Sequence, residues 1–405
     1  MNASNYIRAR QALEEQERAV LAAFAVMSSA VDAGLPGCPG REHTEEPPAD
    51  RTHFQRDWHR ITHSRAFRKL EYKTQVIVFG EGGEMGDVIR NRLTHTLEVS
   101  QVATSMCRTL GLNEDLASAV ALAHDLGHTP FGHAGEATLV RLVSSFNHND
   151  HSLKIVRQLE HRYPGFPGLN LTLHTLSGIE KHDTPFDRTH TNMFQRDLGP
   201  SLEAQVASIA DLIAYRSHDV EDSITAGILT AEDYCAAGVE LWDEVWAEMG
   251  RITDERVRLP QVTRRLINRM VGDVLGETAR RLERHHVCTL EDVHRAQAVL
   301  VDFSDQLKPL NAALGEFLFN RFYHDHRVLR GTVKGQMIVE RLFTHLKDHP
   351  DLLPPVWSDD YAQARDTGHD RLGREALRII ADFIAGMTDR EAYGLYVRLF
   401  EVGHS

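Results

Sequence analysis

Apolar residues that recur at helical spacing run through most of the chain and limit the folds it can adopt. Strand signals are few and short, and strands do not alternate with helices. We predict helices over 6–32, 53–72, 92–110, 113–126, 135–145, 151–162, 203–226, 232–250, 260–285, 290–302, 306–321, 334–348, 358–364 and 373–384, with a last one from 388. This pattern predicts an all-α fold.

Two segments before residue 92 break the helical pattern. Residues 34–52 are rich in Gly and Pro, which predicts a connector that is neither helix nor central strand. The stretch TQVIVFG, 74–80, followed by EGGEMGD, 81–87, predicts a small β-hairpin whose tip lacks the Lys-Ser/Thr pair of a P-loop. We therefore expect three regions: an N-terminal helix and connector (1–52), a motif-rich core (53–250) and a C-terminal helical region packed on that core (251–405).

Composition and charge exclude several classes of protein. No apolar run approaches the roughly 18 residues that cross a bilayer, and the first residues lack the apolar segment of a secretion signal. The four cysteines form no CxxC pair, which predicts reduced thiols in the cytoplasm and argues against a cysteine zinc site. A net charge of −13 argues against a broad basic surface for duplex nucleic acid but does not exclude a local basic pocket.

The stretch ALAHDLGHTPFGHAGE, 121–136, concentrates titratable residues to a degree that a folding core does not need. It holds His124, Asp125, His128, His133 and Glu136. Neutral imidazoles together with carboxylates bind Mn, Fe, Co, Ni or Zn, and they tolerate Mg when phosphate completes the shell. We expect the first two residues to end one helix, and the TPFG break to present the later ones from a new direction.

Two further segments offer partners for a metal. RNRLTHTLEVSQVA places His95 on an otherwise apolar helix, where a buried, hydrogen-bonded core histidine is the alternative interpretation. SIADLIAYRSHDVEDSI places Asp211, Tyr215, His218 and Asp222 along one side of a helix, with Asp219 beside them. We interpret Asp219 and Asp222 as a solvated face or as supports of the site.

Together, His95, His124, Asp125 and Asp211 form a set of two histidines and two aspartates. This order resembles the HD-domain metal-dependent phosphohydrolases and, more narrowly, the deoxyguanosine triphosphate triphosphohydrolase-like family. The resemblance covers about 54–226 and rests on FQRDWHRITHSRAFRKLEYKTQV, RNRLTHTLEVSQVA, ALAHDLGHTPFGHAGE, FNHNDHSLKIV, RYPGFPGLNLT and SIADLIAYRSHDVEDSI.

The resemblance implies an all-helical HD catalytic core that hydrolyses a deoxynucleoside triphosphate to the deoxynucleoside and tripolyphosphate. The four residues of the His–Asp set would bind a divalent ion, Mn or Mg first and Fe, Co, Ni or Zn as alternatives. His133 would be the general acid, and the other catalytic positions would be His128, Glu136 and His148. The resemblance also implies a homo-oligomer and, in some members, binding of single-stranded nucleic acid.

The resemblance assigns the substrate contacts less completely. Gln75 and Arg92 match positions that contact the sugar 3′-hydroxyl and the α-phosphate, and Tyr215 matches the tyrosine beneath the deoxyribose. To these we add Asp219. Leu212 stands where some relatives place a basic residue on the phosphates.

Because Leu212 carries no charge, other side chains must supply the positive charge around the phosphates. The 56–73 segment offers Arg56, Arg60, Arg65, Arg68, Lys69 and Lys73, of which we choose Arg68 and Lys73. A solvated face is the alternative there. It is also our preferred interpretation of the arginine-rich 260–285 segment, which could otherwise contact a nucleotide or nucleic acid.

Two rival functions remain open from the sequence. One is a different HD phosphohydrolase, such as a nucleotide phosphatase or phosphodiesterase, which would release orthophosphate or a monoester. The other is a nucleotide sensor or single-stranded nucleic-acid binder that retains the pocket without turnover. The preferred base, the native metal, the oligomeric state and any allosteric control are not encoded in a motif.

Overall fold

The computed structural model describes residues 3–33, 40–78, 88–143, 145–182, 199–366 and 373–401. These residues form the helices α1 (Ala3–Val20), α2 (Ala30–Ala33), α3 (His53–Thr62), α4 (Arg65–Lys69), α5 (Arg92–Leu110), α6 (Glu114–Ala123), α7 (His133–Val143), α8 (His148–Lys154), α9 (Leu173–Glu180), α10 (Leu202–Thr225), α11 (Ala231–Ala237), α12 (Glu240–Glu248), α13 (Glu255–Arg284), α14 (Leu290–Arg295), α15 (Leu307–Leu318), α16 (His326–Asp348), α17 (Pro355–Asp366), α18 (Arg374–Ala385) and α19 (Asp389–Phe400). Short 3₁₀ segments span Leu70–Tyr72 and Pro350–Leu352, and π-helical segments span Ile155–Leu159 and Phe319–Tyr323. The predicted all-α fold is confirmed.

Only one backbone bridge of the predicted β-hairpin is present within the described ranges. Thr74 and Asn91 form an isolated antiparallel bridge, and no longer strand occurs in those ranges. The backbone N–H of Thr74 donates to the Asp389 carboxylate at 3.1 Å, so a side chain takes the place of a strand partner. The predicted tip, 81–87, lies outside the described residues, as do 34–39 of the predicted connector.

Several predicted helices are broken by local capping. The predicted 53–72 helix divides at Ser64, whose hydroxyl accepts a hydrogen bond from the Phe67 N–H and begins α4. The predicted 232–250 helix divides at Gly238, which adopts the left-handed φ of 66° that ends a helix. The predicted 6–32 helix ends at Val20, and the chain then turns because Glu17 accepts hydrogen bonds from the Ser28 N–H and hydroxyl.

The largest hydrophobic core lies where α5, α6 and α10 pack against one another. Buried side chains such as Val99, Val120 and Ile213 fill it, and α13 packs on the outside of α10. Because all three central helices carry polar residues on one side, their mutual packing brings those polar residues to one place.

The C-terminal helices form a second core against α7. Ile338 and Leu342 of α16 and Ile384 of α18 cluster with Phe131 and Leu139, which lie just before and within α7. The C-terminal region therefore contacts the segment that carries the histidine-rich motif. The boundaries 1–52, 53–250 and 251–405 stay a prediction.

The arginine-rich α13 shows the predicted solvated face. Arg264, Arg265 and Arg269 are exposed, and the last two pair with Glu248 and Glu244 of α12. Carboxylates thus neutralise much of the positive charge on this helix.

None of the helices in the described ranges combines the length and apolar character that crossing a bilayer requires.

Candidate active site

The predicted metal ligands meet in one buried cluster. Nε2 of His95 (α5) lies 2.9 Å from Oδ1 of Asp211 (α10), and Nε2 of His124 lies 3.6 Å from the same oxygen and 3.3 Å from Oδ1 of Asp125. α6 ends at Ala123, earlier than predicted, so the His-Asp doublet lies in the following turn. That turn lets both side chains face the same point, which adjacent helical residues reach less easily.

His124 is prepared to bind a cation through one nitrogen. Its Nδ1–H donates to the carbonyl of Ala121 at 2.6 Å, which fixes the tautomer and directs the Nε2 lone pair into the cluster. Among the residues that the structure describes, that buried Nε2 has no hydrogen-bond partner. Two imidazoles, one of which presents this nitrogen, and two carboxylates fit a divalent ion such as Mn, Fe, Co, Ni or Zn.

Electrostatics within the cluster favour the anionic carboxylates. Burial opposes ionisation of Asp125, yet His124 and Arg92 hold its pKa well below the usual range. The pKa of Asp211 is likewise lowered against burial, by His124 and by hydrogen bonds from His182 and His95. Both aspartates are therefore ionised and able to act as ligands.

His182 belongs to this cluster, although the sequence analysis missed it. Its Nε2 lies 3.4 Å from Oδ2 of Asp211, its ring centroid lies 5.0 Å from that of His124, and its Nδ1 lies 3.2 Å from the Ser208 hydroxyl. Ligand atoms of His124, His182 and Asp211 all fall within 4.8 Å of one another. The string GIEKHD that contains it has no ligand spacing, so the sequence offered no signal.

A second group of histidines adjoins the first. The rings of His128 and His148 stack with centroids 3.8 Å apart, and Nε2 of His128 lies 3.0 Å from Oδ1 of Asp125. Glu136 accepts hydrogen bonds from the backbone N–H of His148 at 2.8 Å and from its Nδ1 at 2.9 Å. The Nδ1 of His133 is 3.6 Å from the same carboxylate.

The members of this second group differ in exposure. His128 and His148 are buried, whereas 52% of the His133 side chain is exposed. The carboxylate of Glu136 is mostly buried; burial alone would raise its pKa, but the adjacent His148 and His133 lower it well below the usual range. Glu136 is therefore an anion that orients His148, and His133 is the histidine that a ligand reaches most directly.

Arg92 and Gln75 carry buried polar atoms that no described residue satisfies. Nη1 of Arg92 donates to Oδ2 of Asp125 at 2.9 Å, while its Nε and Nη2 and the Oε1 of Gln75 have no hydrogen-bond partner within the described ranges. A Cβ on Gly132 would lie 3.1 Å from Nη2 of Arg92, so this glycine lets the loop approach the guanidinium. Unused guanidinium donors at this position suit an oxyanion such as a phosphate.

Tyr215 and Asp219 form a separate corner with Tyr323, a residue that the sequence analysis missed. The two tyrosine rings lie 6.1 Å apart, and the Tyr323 hydroxyl donates to Asp219. Burial raises the pKa of Asp219 to about 8. Asp219 and Asp222 are 1% and 5% exposed, so the predicted solvated face is wrong and the alternative, supporting positions, agrees with the structure.

The two cations chosen for the phosphates have other partners. The buried Lys73 donates from Nζ to the carbonyls of His128 and Ala385, and burial lowers its pKa to about 7. Arg68 is exposed, its Nε is 3.4 Å from the Ser64 carbonyl, and it lines a surface cavity near Arg390. Neither residue is brought to the His–Asp cluster, because Lys73 turns toward backbone carbonyls and α4 faces Arg68 outward.

Comparisons with known proteins identify the family of this chain. The HD domain matches residues 92–216, and the phosphohydrolase-associated domain matches residues 301–398. A deoxyguanosinetriphosphate triphosphohydrolase-like protein of Geobacter sulfurreducens is 44% identical over 400 residues, which cover 96% of this chain and 98% of the relative. Proteins of the same name from Parvibaculum lavamentivorans and Bordetella pertussis are 43% and 42% identical, each over 90% of this chain and 94% of its own length. The chain therefore belongs to the deoxyguanosinetriphosphate triphosphohydrolase-like family of HD-domain phosphohydrolases.

Proposed function

We propose that this protein hydrolyses deoxynucleoside triphosphates to the deoxynucleoside and tripolyphosphate with a divalent metal ion. The observation that carries the proposal is the position of Asp125 between the two histidine groups. Its Oδ1 lies 3.3 Å from Nε2 of His124 and 3.0 Å from Nε2 of His128. The residues predicted to bind the metal and those predicted to transfer the proton therefore meet at this carboxylate.

His95, His124, Asp125 and Asp211 would hold the ion. When bound there, a divalent ion supplies Lewis-acid polarisation of a phosphoryl oxygen and lowers the pKa of water. The guanidinium of Arg92 has two groups of N–H donors left for the α-phosphoryl oxygens. These donors are already oriented by the bond to Asp125, so little reorganisation accompanies substrate binding.

His133 is our candidate general acid for the nucleoside 5′-oxygen. It is the exposed member of its group, and its Nδ1 lies 3.6 Å from the Glu136 carboxylate, which can orient the ring. Glu136 also holds the Nδ1 of His148, which fixes the orientation of that ring. A histidine in this role transfers a proton near neutral pH, which is worth about 10²–10⁴ in rate.

Tyr215 and Tyr323 would form the wall against which the deoxyribose packs. A neutral Asp219 behind them keeps that wall uncharged, since its carboxyl pKa is about 8. The Oε1 of Gln75, which has no partner among the described residues, would accept a hydrogen bond from the sugar 3′-hydroxyl.

Product analysis tests the proposal. The protein is incubated with each of the four deoxynucleoside triphosphates, and with GTP and ATP, in Mn²⁺ or Mg²⁺, and the products are separated by ion exchange. We expect deoxynucleoside and tripolyphosphate, with no turnover by His124→Ala and normal turnover by the surface control His326→Ala, whose side chain is 67% exposed. Orthophosphate, or monophosphate with pyrophosphate, would indicate a different HD phosphohydrolase. Nucleotide binding without any turnover would indicate a sensor.

A further inference from the structure

The loop between His128 and His133 has a backbone that its own sequence does not favour. Phe131 has φ of 63° and Gly132 has φ of 58°, so two consecutive residues are left-handed. This conformation is ordinary for glycine but uncommon for phenylalanine, and it persists only when its surroundings hold it in place. Thr129 and Gly132 are joined by a side-chain bond of 2.8 Å and a backbone bond of 3.3 Å, and the Phe131 carbonyl accepts a hydrogen bond from the Ala134 N–H at 3.2 Å.

A carboxylate from the C-terminal region holds this loop. Oδ1 of Asp389 accepts a hydrogen bond from the backbone N–H of Phe131 at 2.8 Å. Oδ2 accepts from the backbone N–H of Thr74 at 3.1 Å and also from the Thr74 hydroxyl. Asp389 is 5% exposed and is the first residue of α19, directly after the N-cap residue Thr388. Both oxygens of a buried carboxylate are thus used to connect two distant segments.

The two segments that Asp389 connects carry different predicted roles. Phe131 lies two residues before His133, the candidate general acid, and Thr74 lies one residue before Gln75, the candidate sugar contact. They also touch each other, because a Cβ on Gly132 would lie 3.3 Å from the Thr74 carbonyl oxygen. A displacement of one segment relative to the other would change the distance between the sugar contact and the proton donor.

Other contacts reinforce the same connection. A Cβ on Gly335 of α16 would lie 2.6 Å from Cβ of Phe131, so α16 is pressed against the loop. The Nζ of Lys73 joins the carbonyl of His128 to that of Ala385, at the end of α18. The C-terminal helices therefore contact the loop at Phe131 and, through Lys73, at His128, and Asp389 adds a second connection between the loop and the segment that carries Gln75.

We propose that Asp389 is a positioning residue. By holding Phe131 and Thr74, it fixes the distance between the loop that leads to His133 and the segment that carries Gln75. The inference rests on the proposed function for the identity of the reaction, whereas the connection itself rests on the hydrogen bonds alone. It assigns a role in turnover to the region that matches the phosphohydrolase-associated domain, 301–398.

The primary test is Asp389→Asn. The amide is the same size, but its NH₂ group cannot accept a hydrogen bond, so either the Phe131 or the Thr74 backbone N–H loses its partner. We expect kcat to fall at least about tenfold and KM to change less than about threefold, because the reacting groups are misplaced while most binding contacts remain. Bound metal should equal that of the wild type.

The matched control is Thr388→Ala. It removes the N-cap of the same helix but leaves the Asp389 carboxylate and both of its connections. We expect kcat within about twofold of the wild type. Equal losses of kcat in the two variants would mean that α19 acts only through stability, and would overturn the proposal.

Hydrogen exchange tests the connection without any reaction. In Asp389→Asn either the peptide that covers 72–78 or the one that covers 125–133 should exchange faster, according to which backbone N–H loses its partner, whereas Thr388→Ala should affect α19 alone. Wild-type exchange together with wild-type kcat in Asp389→Asn would overturn the proposal. A product other than tripolyphosphate would refute the proposed function. The ratio of the kcat values of Asp389→Asn and Thr388→Ala for that product would still test the role of Asp389. With no turnover at all, the exchange result decides.

Thr74→Val provides a second, milder variant in case Asp389→Asn does not fold. It removes only the hydroxyl bond and retains the backbone bond, so we expect a smaller fall in kcat with the same unchanged KM. In the double variant the loss should not exceed that of Asp389→Asn alone, because both changes break the same connection. Additive losses would contradict a shared role.

Discussion

Asp219 offers a prediction whose size follows from its surroundings. Burial raises the pKa of this carboxyl to about 8; Asp222 acts in the same direction, while a hydrogen bond from Tyr323 and the charge of Arg216 act against it. In the folded protein the group is therefore mostly protonated at pH 7. In the unfolded chain it titrates near the ordinary value of 3.8.

The sign of the pH effect follows from these two values. A carboxyl with a raised folded-state pKa binds its proton more tightly when folded, so its contribution to stability is complete below about pH 4 and declines up to about pH 8. Between pH 6 and pH 8 the unfolded chain is fully ionised at this position. The free energy of unfolding then falls by up to about 1.4 kcal/mol per pH unit, or about 2 kcal/mol over this interval.

Asp219→Asn isolates that contribution. The amide is neutral at every pH, and its carbonyl oxygen can accept the Tyr323 hydroxyl as the carboxyl does. We expect the variant to be close to the wild type at pH 6 and about 2 kcal/mol more stable relative to it at pH 8. Urea unfolding at pH 6, 7 and 8 measures the difference, with the exposed Asp359→Asn as a control. A difference that does not change with pH would refute the reasoning.

Three further predictions concern the site and its support. His124→Ala should lose the bound metal, whereas His133→Ala should retain it and lose at least about 100-fold in kcat, as metal analysis beside turnover would show; full metal occupancy in His124→Ala would contradict the ligand assignment. Glu136→Gln should lower kcat about 10- to 100-fold, since it weakens charge-assisted bonds worth about 1.5–3 kcal/mol that orient a histidine; an unchanged kcat would contradict that role. Gly335→Ala should lower the free energy of unfolding by about 1–3 kcal/mol, because its Cβ would lie 2.6 Å from a side-chain carbon of the neighbouring loop. Gly272→Ala is its control, since its Cβ would meet nothing within 4 Å; equal effects would contradict the packing argument.

The sequence identified the residues whose side-chain type by itself indicates metal binding or catalysis. His95, His124, Asp125 and Asp211 stood out because histidines and aspartates on apolar helices have few other uses, and the structure brings them within a few ångströms. The packing of three long amphipathic helices explains this success. Periodicity identified α5 and α10 almost to the residue, and it fixed which side of each helix faces the others.

Residues whose role depends on tertiary contacts could not be found in this way. His182 and Tyr323 lie outside every motif, and the π-helical turn that ends at Tyr323 breaks the periodicity that would mark a face. Lys73 looked like a phosphate ligand because of its charge, but its partners are carbonyls of distant segments. Asp389 looked like an ordinary first-turn residue of a helix, since its partner loop is 258 residues away along the chain.

Helix ends were the other source of error. The sequence predicted that the helix before the His-Asp doublet continues to 126, whereas α6 ends at Ala123. The carbonyl of Ala121 is taken by the His124 side chain, and Gly127 is packed so closely that a Cβ would lie 2.1 Å from the His148 carbonyl oxygen. Such competition between side-chain and backbone partners is decided by the assembled site and not by local propensity.

The measurement that tests the central claim most directly is the position of an oxygen label after turnover in H₂¹⁸O. If water attacks the α-phosphorus while His133 protonates the departing 5′-oxygen, the label enters tripolyphosphate and the deoxynucleoside carries none. Mass spectrometry of the two separated products gives the answer in one experiment. Label in the deoxynucleoside, or label found only in orthophosphate, would contradict the account.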